Sequence, residues 1–324
     1  MKLKDIVLDF LEKHRGEYLS GEQIAEQTGV SRAAVWKAIE CLRKDGVNIN
    51  GVKNKGYTIP LDENSLSAQG IEAILGKTQF DIHTEHTVTS TNTVLKELAR
   101  NGEKSKYVLF ACEQTEGRGR LGRSFYSPDS TGIYMSIILR PDINIEDSLF
   151  ITTSAAVAVC RAIETVSDGK VSPQIKWVND IFVDGKKVCG ILTEASVDFE
   201  SGKPEYAVLG IGVNIFPPKN DFPDDIKNTA NSIFDSICGT NMRNRMAAEI
   251  LRELEKMSGN YKSKNILEEY RKRSMLIGKE VYAVSQNQKT PCRVLSIDDN
   301  ARLVVELENG EQKVLSSGEV SIKF

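Results

Sequence analysis

The stretch GRGRLGR, residues 117–123, places glycines at 117, 119 and 122 with G-x-G-x-x-G spacing. A dinucleotide-binding turn of that spacing needs a strand before it and a helix start after it. The strand is present: YVLFACEQ (107–114) is rich in β-branched and aromatic residues. The helix is not. SFYSPDSTG (124–132) brings Pro128 and turn residues, and IYMSIILR (133–140) reads as another strand. Without a helix N-terminus nothing is set to hold a pyrophosphate, and no G-x-x-x-x-G-K-[ST] sequence occurs elsewhere. Two readings remain, a solvated basic turn or an anion loop. In the second, Gly117 and Gly119 let backbone amides approach a ligand, and Arg118, Arg120 and Arg123 supply planar forks suited to carboxylate and phosphate. Such a loop suits ATP meeting a carboxylate.

Two neighbouring stretches carry polar groups in unusual places. TSTNTVLKELARNG (89–102) puts Ser90, Thr91 and Asn92 at the start of a helix whose Val94, Leu95 and Leu98 face a core and which ends at Gly102. These residues either cap the helix or hold a polar head group by neutral hydrogen bonds. KWVNDIFVDGKKVCGILTE (176–194) reads as a hairpin, strand, DGKK turn, strand. Lys176, Asn179, Asp180 and Lys187 interrupt its apolar residues. Polar groups there are costly unless paired or used, so they form internal salt bridges or meet a ligand.

STN, GRGRLGR followed by SFYSP, KW-ND with KKVCGILTE, and GIGVN (210–214) stand in one order over residues 90 to 214. In that order and spacing the chain resembles the biotin protein ligase family. The resemblance implies a central α+β domain with a mixed β-sheet that makes biotinyl-5′-adenylate from biotin and Mg-ATP. It further implies transfer of biotin to a lysine of an acceptor, the biotin carboxyl-carrier protein. Biotin would meet Ser90, Thr91, Asn92, Gln114, Gly117, Arg118, Gly119, Arg120, Lys187 and Gly190. The adenylate would meet Arg118, Arg123, Phe125, Lys176, Asn179, Asp180 and Asn214, with Asp180 a candidate for Mg2+. Arg118, Arg120 and Lys187 would carry the chemistry. Val178 departs from the family, which usually has proline in this motif; no functional group is lost.

The chemistry agrees with the composition of these motifs. Attack of a carboxylate on an α-phosphorus brings two anions together, and fixed cations offset the repulsion without a proton-transfer residue. Histidine is correspondingly scarce: His14, His83 and His86 are the only three. The last two lie three apart in a strand-like run, so they point to opposite faces and make a poor metal pair. A lipoate ligase would not be expected to carry the GRGR and KW-ND pairing. A biotin-sensing DNA-binding regulator without catalysis is the non-enzyme alternative.

The front of the chain reads differently. Leu3, Ile6, Val7, Phe10 and Leu11 follow helical spacing. Ser20 with Gln23 forms a capping box for a second helix, Gly29 permits the turn out of it, and Ser31 caps a third helix with Val35, Ala38, Ile39 and Leu42 inward. VNINGVKNKGYTI (47–59) then reads as two short strands around KNKG. This is the layout of a winged helix-turn-helix. Between residues 31 and 55 six basic residues face two acids, and Ser31, Arg32, Lys37, Lys53 and Lys55 are the candidate DNA contacts. With this unit the chain resembles the bifunctional members of the family, repressor and ligase in one polypeptide. The resemblance then implies operator DNA as a partner and a homodimer when biotinyl-AMP is bound.

Length and composition bound the rest. At 324 residues, 40% hydrophobic and 27% charged, the chain is an ordinary globular one of two or three domains. We assign 1–62 to the winged helix, 63–272 to the α+β ligase domain and 273–324 to a small β-barrel domain, SH3-like in the family. The uncharged stretch LFITTSAAVAVC is shorter than the ~20 apolar residues of a membrane span, and the N-terminus MKLKDIVLDF has acids where a signal peptide would not. A cytoplasmic protein with no membrane partner is expected. Cysteines 41, 112, 160, 189, 238 and 292 stand singly, as reduced, buried thiols do. FPPKNDFPDDIKNTANSI (216–233) lacks a core pattern and is expected to be a mobile loop that orders over the adenylate.

Overall fold

The computed structural model describes residues 2–144, 147–197, 203–237, 239–285, 288–316 and 319–322. Cys238 and part of the SQNQ turn lie outside the described residues.

The front unit is three helices and a wing: α1 (Leu3–Lys13), α2 (Gly21–Thr28), α3 (Arg32–Lys44), β1 (Asn50–Val52) and β2 (Gly56–Thr58). The Ser20 hydroxyl accepts from Gln23 N while the Gln23 side chain accepts from Ser20 N, and this fixes where α2 starts. Gly29 ends it in the left-handed region at φ 70°, so the chain turns sharply into α3. Val7, Leu8, Leu11, Ile24, Val35, Ile39, Leu42 and Ile59 close a separate small core. Each such side chain contributes roughly 1.5–3 kcal/mol through burial.

After α4 (Ala68–Leu75) come β3 (Asp81–Val88), α5 (Thr91–Arg100), β4 (Tyr107–Gln114), β5 (Gly132–Leu139), α6 (Ser148–Val166), β6 (Gln174–Lys176), β7 (Asp180–Val183), β8 (Lys186–Val197), β9 (Pro204–Asn214), α7 (Met242–Met257) and α8 (Lys264–Lys272). The strands form one seven-stranded sheet in the order β3-β4-β5-β9-β8-β7-β6. Only β3 and β4 run parallel, so the sheet is mixed, as expected. The expected first hairpin strand is split. Its chain reverses at Trp177–Asn179, and β6 and β7 pair with each other; the Trp177–Val178 peptide is cis. His83 and His86 both lie on β3.

Helix α6 is long and apolar enough, by length and composition, to cross a membrane, but it serves as a core helix with most of its length buried. Ala155, Ala156, Ala158 and Ala162 are fully buried, and they let α6 lie close to its neighbours, where extra bulk would cost about 1–3 kcal/mol. α5 covers the opposite face through Leu95 and Ala99. Among the cysteines, 160, 189 and 292 are buried and reduced, Cys112 is half-buried, and Cys41 is exposed, against expectation, on α3. Burial pushes the Cys160 thiol up to about 12.

The last unit is β10 (Glu280–Ser285), β11 (Gln288–Ile297), β12 (Leu303–Leu307), β13 (Gln312–Leu315) and β14 (Glu319–Ile322). It is an antiparallel sheet in the order β13-β12-β11-β10-β14. The expected closed barrel is not formed among the described residues, because β14 pairs with β10 and leaves β13 at the other edge. The sheet is tied to the central domain by Trp177, whose Nε1 donates to Ala301 O at 3.0 Å.

Candidate functional site

The loop 117–123 folds back on itself. Gly119 N donates to Arg123 O at 2.7 Å and Phe125 N to Gly117 O at 2.8 Å, with Arg118 bridged to Ser124. A short 3-10 turn spans Arg120–Gly122. This return sets Arg118, Arg120 and Arg123 around one cavity of about 330 Å³. Arg118 and Arg123 are exposed and Arg120 is half-buried, and all three line the cavity.

Ser90, Thr91, Asn92 and Gln114 line the other end of the same cavity. Ser90 begins α5 without capping it through its side chain, so simple N-capping does not account for the STN triplet. Instead, Thr91 N and Oγ1 both donate to Gln114 Oε1, at 2.8 and 3.1 Å, and Gln114 Nε2 donates to Ser127 Oγ at 2.9 Å. Asn92 is buried; its Oδ1 accepts from Ser136 Oγ at 2.6 Å and its Nδ2 donates to Glu194 Oε2 at 2.9 Å. Together these make a hydrogen-bonded wall with oriented donors and acceptors.

Between the two ends stand the polar residues of the split hairpin. Lys187 Nζ lies 2.6 Å from Asp180 Oδ1, Asn179 Nδ2 donates to Ile191 O at 2.9 Å, and Arg120 Nη1 donates to Asn179 Oδ1 at 3.0 Å. Lys176, Asn179, Asp180, Lys187 and Gly190 all line the cavity. Asp180 and Lys187 form the internal salt bridge that one of the two readings of this stretch expects, and both line the cavity.

Glycines 210 and 212 on β9 make room for the walls. A Cβ at Gly210 would lie 2.1 Å from Asn92 Oδ1, and one at Gly212 would lie 2.5 Å from the Phe125 ring. Two predicted residues stand off the cavity. Gly117 is buried beneath the Phe125 carbonyl, and Asn214 gives its Nδ2 to Asn231 O at 3.1 Å. Asn214 thereby ties down the segment expected to be a mobile loop. That segment lies along the start of β8, with Lys187 N donating to Thr229 O and Asn231 N to Lys187 O, each at 2.8 Å.

Lys96 Nζ meets Glu194 Oε1 at 2.7 Å. Burial raises the Glu194 carboxyl, but hydrogen bonds from Lys96 and Asn92, with the charges of Lys96 and Arg118, more than reverse this and hold it below its usual value of 4.5. Because the folded value is the lower one, the stabilisation is present above about pH 4.5 and is lost as the pH falls through the folded value. Glu194→Gln is expected to lower Tm by about 2–4 °C at neutral pH, with a difference that shrinks in acid. Thermal melts across pH test this, and a constant difference at every pH would contradict it.

Against known proteins the chain is 33% identical over 97% of its length, and 97% of the relative's, to the bifunctional ligase/repressor BirA of Bacillus spizizenii. It is 29% identical to that of Escherichia coli over 95% of this chain and 94% of the other. The chain belongs to the biotin protein ligase family. Residues 85–214 match the Biotin/lipoate A/B protein ligase family model, 4–58 an HTH domain and 276–323 the Biotin protein ligase C terminal domain. A biotin protein ligase from Aquifex aeolicus, solved with biotin and ATP, shares the fold at TM-score 0.58 and 24% identity, covering 75% of this chain and 98% of that one.

The cavity also takes in residues that sequence reasoning did not single out. Gly210 and Gly212 were visible only as part of GIGVN; their role follows from what faces them. Val284, Lys289 and Val320 of the C-terminal sheet also line the cavity, and nothing local marks them. At the other end of the chain, Arg32, Lys37, Lys53 and Lys55 are exposed. Ser31 caps α3 by accepting from Ala34 N. Trp36, 54% exposed on the same helix, is an addition to that face. Arg43, counted with the basic residues, instead holds Ile49 O and Glu40.

Proposed function

We propose that this chain is a biotin protein ligase that also represses transcription in response to biotin. The observation that carries the ligase half is one cavity with a neutral hydrogen-bonding end at Ser90, Thr91 and Gln114 and a cationic end at Arg118, Arg120, Arg123, Lys176 and Lys187. The ureido ring of biotin, uncharged but rich in donors and acceptors, suits the first end, and ATP suits the second.

Arg120 and Lys187 would meet the biotin carboxylate. One of its oxygens attacks the α-phosphorus of ATP, the bond to pyrophosphate breaks, and the arginines with Lys176 stabilise the charge shed onto the phosphates. Phe125 offers a ring to the adenine. In the second step the neutral amine of an acceptor lysine attacks the acyl carbon, the acyl–oxygen bond breaks, AMP leaves and the surplus amine proton passes to solvent. Asp180 already holds Lys187 and Asn179 through Oδ1. A single carboxylate of this kind fits a magnesium ion carried on the triphosphate better than one caged by protein; that ion would offset phosphate charge.

The acceptor is the biotin carboxyl-carrier protein, and the setting is cytoplasmic. Next to the cavity the C-terminal sheet, which we read as an SH3-like β-barrel with its β13–β14 seam open, supplies part of the wall. With biotinyl-AMP bound, a homodimer would present two winged helices to a two-fold operator whose half-sites lie whole helical turns apart. The measurement that tests the ligase is transfer of labelled biotin to an acceptor domain with Mg-ATP, with lipoate in parallel. Biotin-only transfer is expected. Biotin binding without transfer would leave a regulator that senses biotin and does not catalyse.

For the repressor half, Lys53→Glu with Lys55→Glu is expected to weaken binding to every duplex alike and to flatten its salt dependence by about one unit for each phosphate no longer neutralised. Gel shifts at two salt concentrations measure this. Parental binding by the double variant would remove the wing from the interface.

A further inference from the structure

We propose that Arg243 is a positioning residue for the nucleotide end of the site, holding from behind the turn on which the adenine loop and the strap over β8 are both anchored. The inference rests on the ligase reading above.

Arg243 is the second residue of α7 and only 2% exposed. Among the described residues it has no carboxylate partner, and its Nη2 is buried without an acceptor. A buried guanidinium without a counterion is costly, so its place calls for a reason beyond stability. Its Nε donates to Gly132 O at 2.9 Å. Gly132 opens β5 and pairs across the sheet with Asn214. The preceding carbonyl, Thr131 O, accepts from both Ile215 N at 3.1 Å and Phe216 N at 2.8 Å, which start the strap. Farther along, Ile233 N and Phe234 N donate to Asn214 O and Ile215 O, each at 3.0 Å.

The same turn closes the arginine-glycine loop. Thr131 Oγ1 and Tyr134 OH both donate to Pro128 O, at 3.1 and 2.9 Å. Pro128 follows directly on Ser127, which meets Gln114 and, through its own hydroxyl, donates to Phe125 O at 3.0 Å. One guanidinium therefore fixes the Gly132 carbonyl, next in the chain to Thr131, whose carbonyl holds the start of Asn214's strap and whose hydroxyl donates to Pro128 O behind Phe125's loop. It does not line the cavity.

The start of α7 also grips the linker that leaves the winged helix. Met242 N donates to Asn64 Oδ1 at 2.7 Å, Asn244 Nδ2 to Ser65 O at 3.0 Å, and Ser67 N to Asn244 Oδ1 at 3.0 Å. The helix turn that holds Gly132 is thus itself clamped on its outer side, which keeps the guanidinium from drifting.

The test is Arg243→Met beside Arg243→Lys in the full chain. A charged-group hydrogen bond acting through position should raise the KM for ATP about 10-fold or more in the methionine variant, with the KM for biotin within about twofold of the parent. Lysine, which keeps a donor but not the fork, should restore part of the loss. Hydrogen exchange supplies a readout independent of activity. The amides of Ile215, Phe216, Ile233 and Phe234 should exchange about 10-fold faster in Arg243→Met while those of α8 and the winged helix keep the parental rate. Faster exchange throughout the chain, or both KM values rising together, would mean a merely structural arginine and overturn the proposal. A parent chain without biotin transfer would sink the ligase reading, and the exchange contrast would still decide whether Arg243 sets the strap.

Discussion

Lys187→Met lowers adenylate formation by about 10²–10³-fold, the usual loss when one fixed charge facing a developing charge is removed from a closed site. Lys187 Nζ sits 2.6 Å from Asp180 Oδ1, on a side chain about one-third exposed. The lysine is held by its partner and still open to the cavity. Methionine keeps the length and apolar stem, so the packing against Gly190 survives while the charge is removed. Asp180 then brings an uncompensated carboxylate to the place where biotin's own carboxylate must lie, and repulsion adds to the missing attraction. Biotin-dependent exchange of pyrophosphate into ATP reads this step alone. Lys187→Met at one-tenth of parental rate or better would remove Lys187 from the chemistry. Asp180→Asn separates the two effects, since it spares the lysine charge and removes the rival anion.

The second large effect belongs to a residue without a side chain. Gly210→Ala would place a Cβ 2.1 Å from Asn92 Oδ1 and 2.9 Å from its Cγ, closer than any real contact. Asn92 cannot swing away freely, because it is 4% exposed and tied to Ser136, Leu192 O and Glu194. Overpacking of this kind costs about 1–3 kcal/mol, and each hydrogen bond that breaks to relieve it adds about 1 kcal/mol. The biotin end of the cavity loses its wall, so the KM for biotin is expected to rise at least about tenfold. Gly212→Ala, two residues along the same strand, instead drives a Cβ into the Phe125 ring at 2.5 Å and should raise the KM for ATP. Two KM values and a melting curve for each variant settle the pair. Identical effects on both substrates would show that the walls do not act separately.

Much of the site was legible before any fold was known, because its signals are local. The Ser20–Gln23 capping box, Gly29 and the basic wing each act within a few residues. So does the absence of a helix after GRGRLGR, which removed the dinucleotide reading and left a solvated basic turn or an anion loop. Charged and amide residues interleaved in an otherwise apolar hairpin marked 176–187 as a place where polarity had a use. These features determined the winged helix and most of the residues that meet in the cavity.

Other features were decided only by tertiary structure. The reversal at Trp177–Asn179 turns one expected strand into β6 and β7, and β9 comes to lie between β5 and β8, which brings Gly210 and Gly212 under Asn92 and Phe125. The C-terminal sheet stays open among the described residues and still lends Val284, Lys289 and Val320 to the cavity. Arg243 finds Gly132 O 111 residues away. Sequence periodicity reports which face of an element is buried and turn residues report where it ends. Neither carries information about which distant backbone carbonyl a buried guanidinium will reach, because that pairing exists only once the sheet and its covering helices have packed.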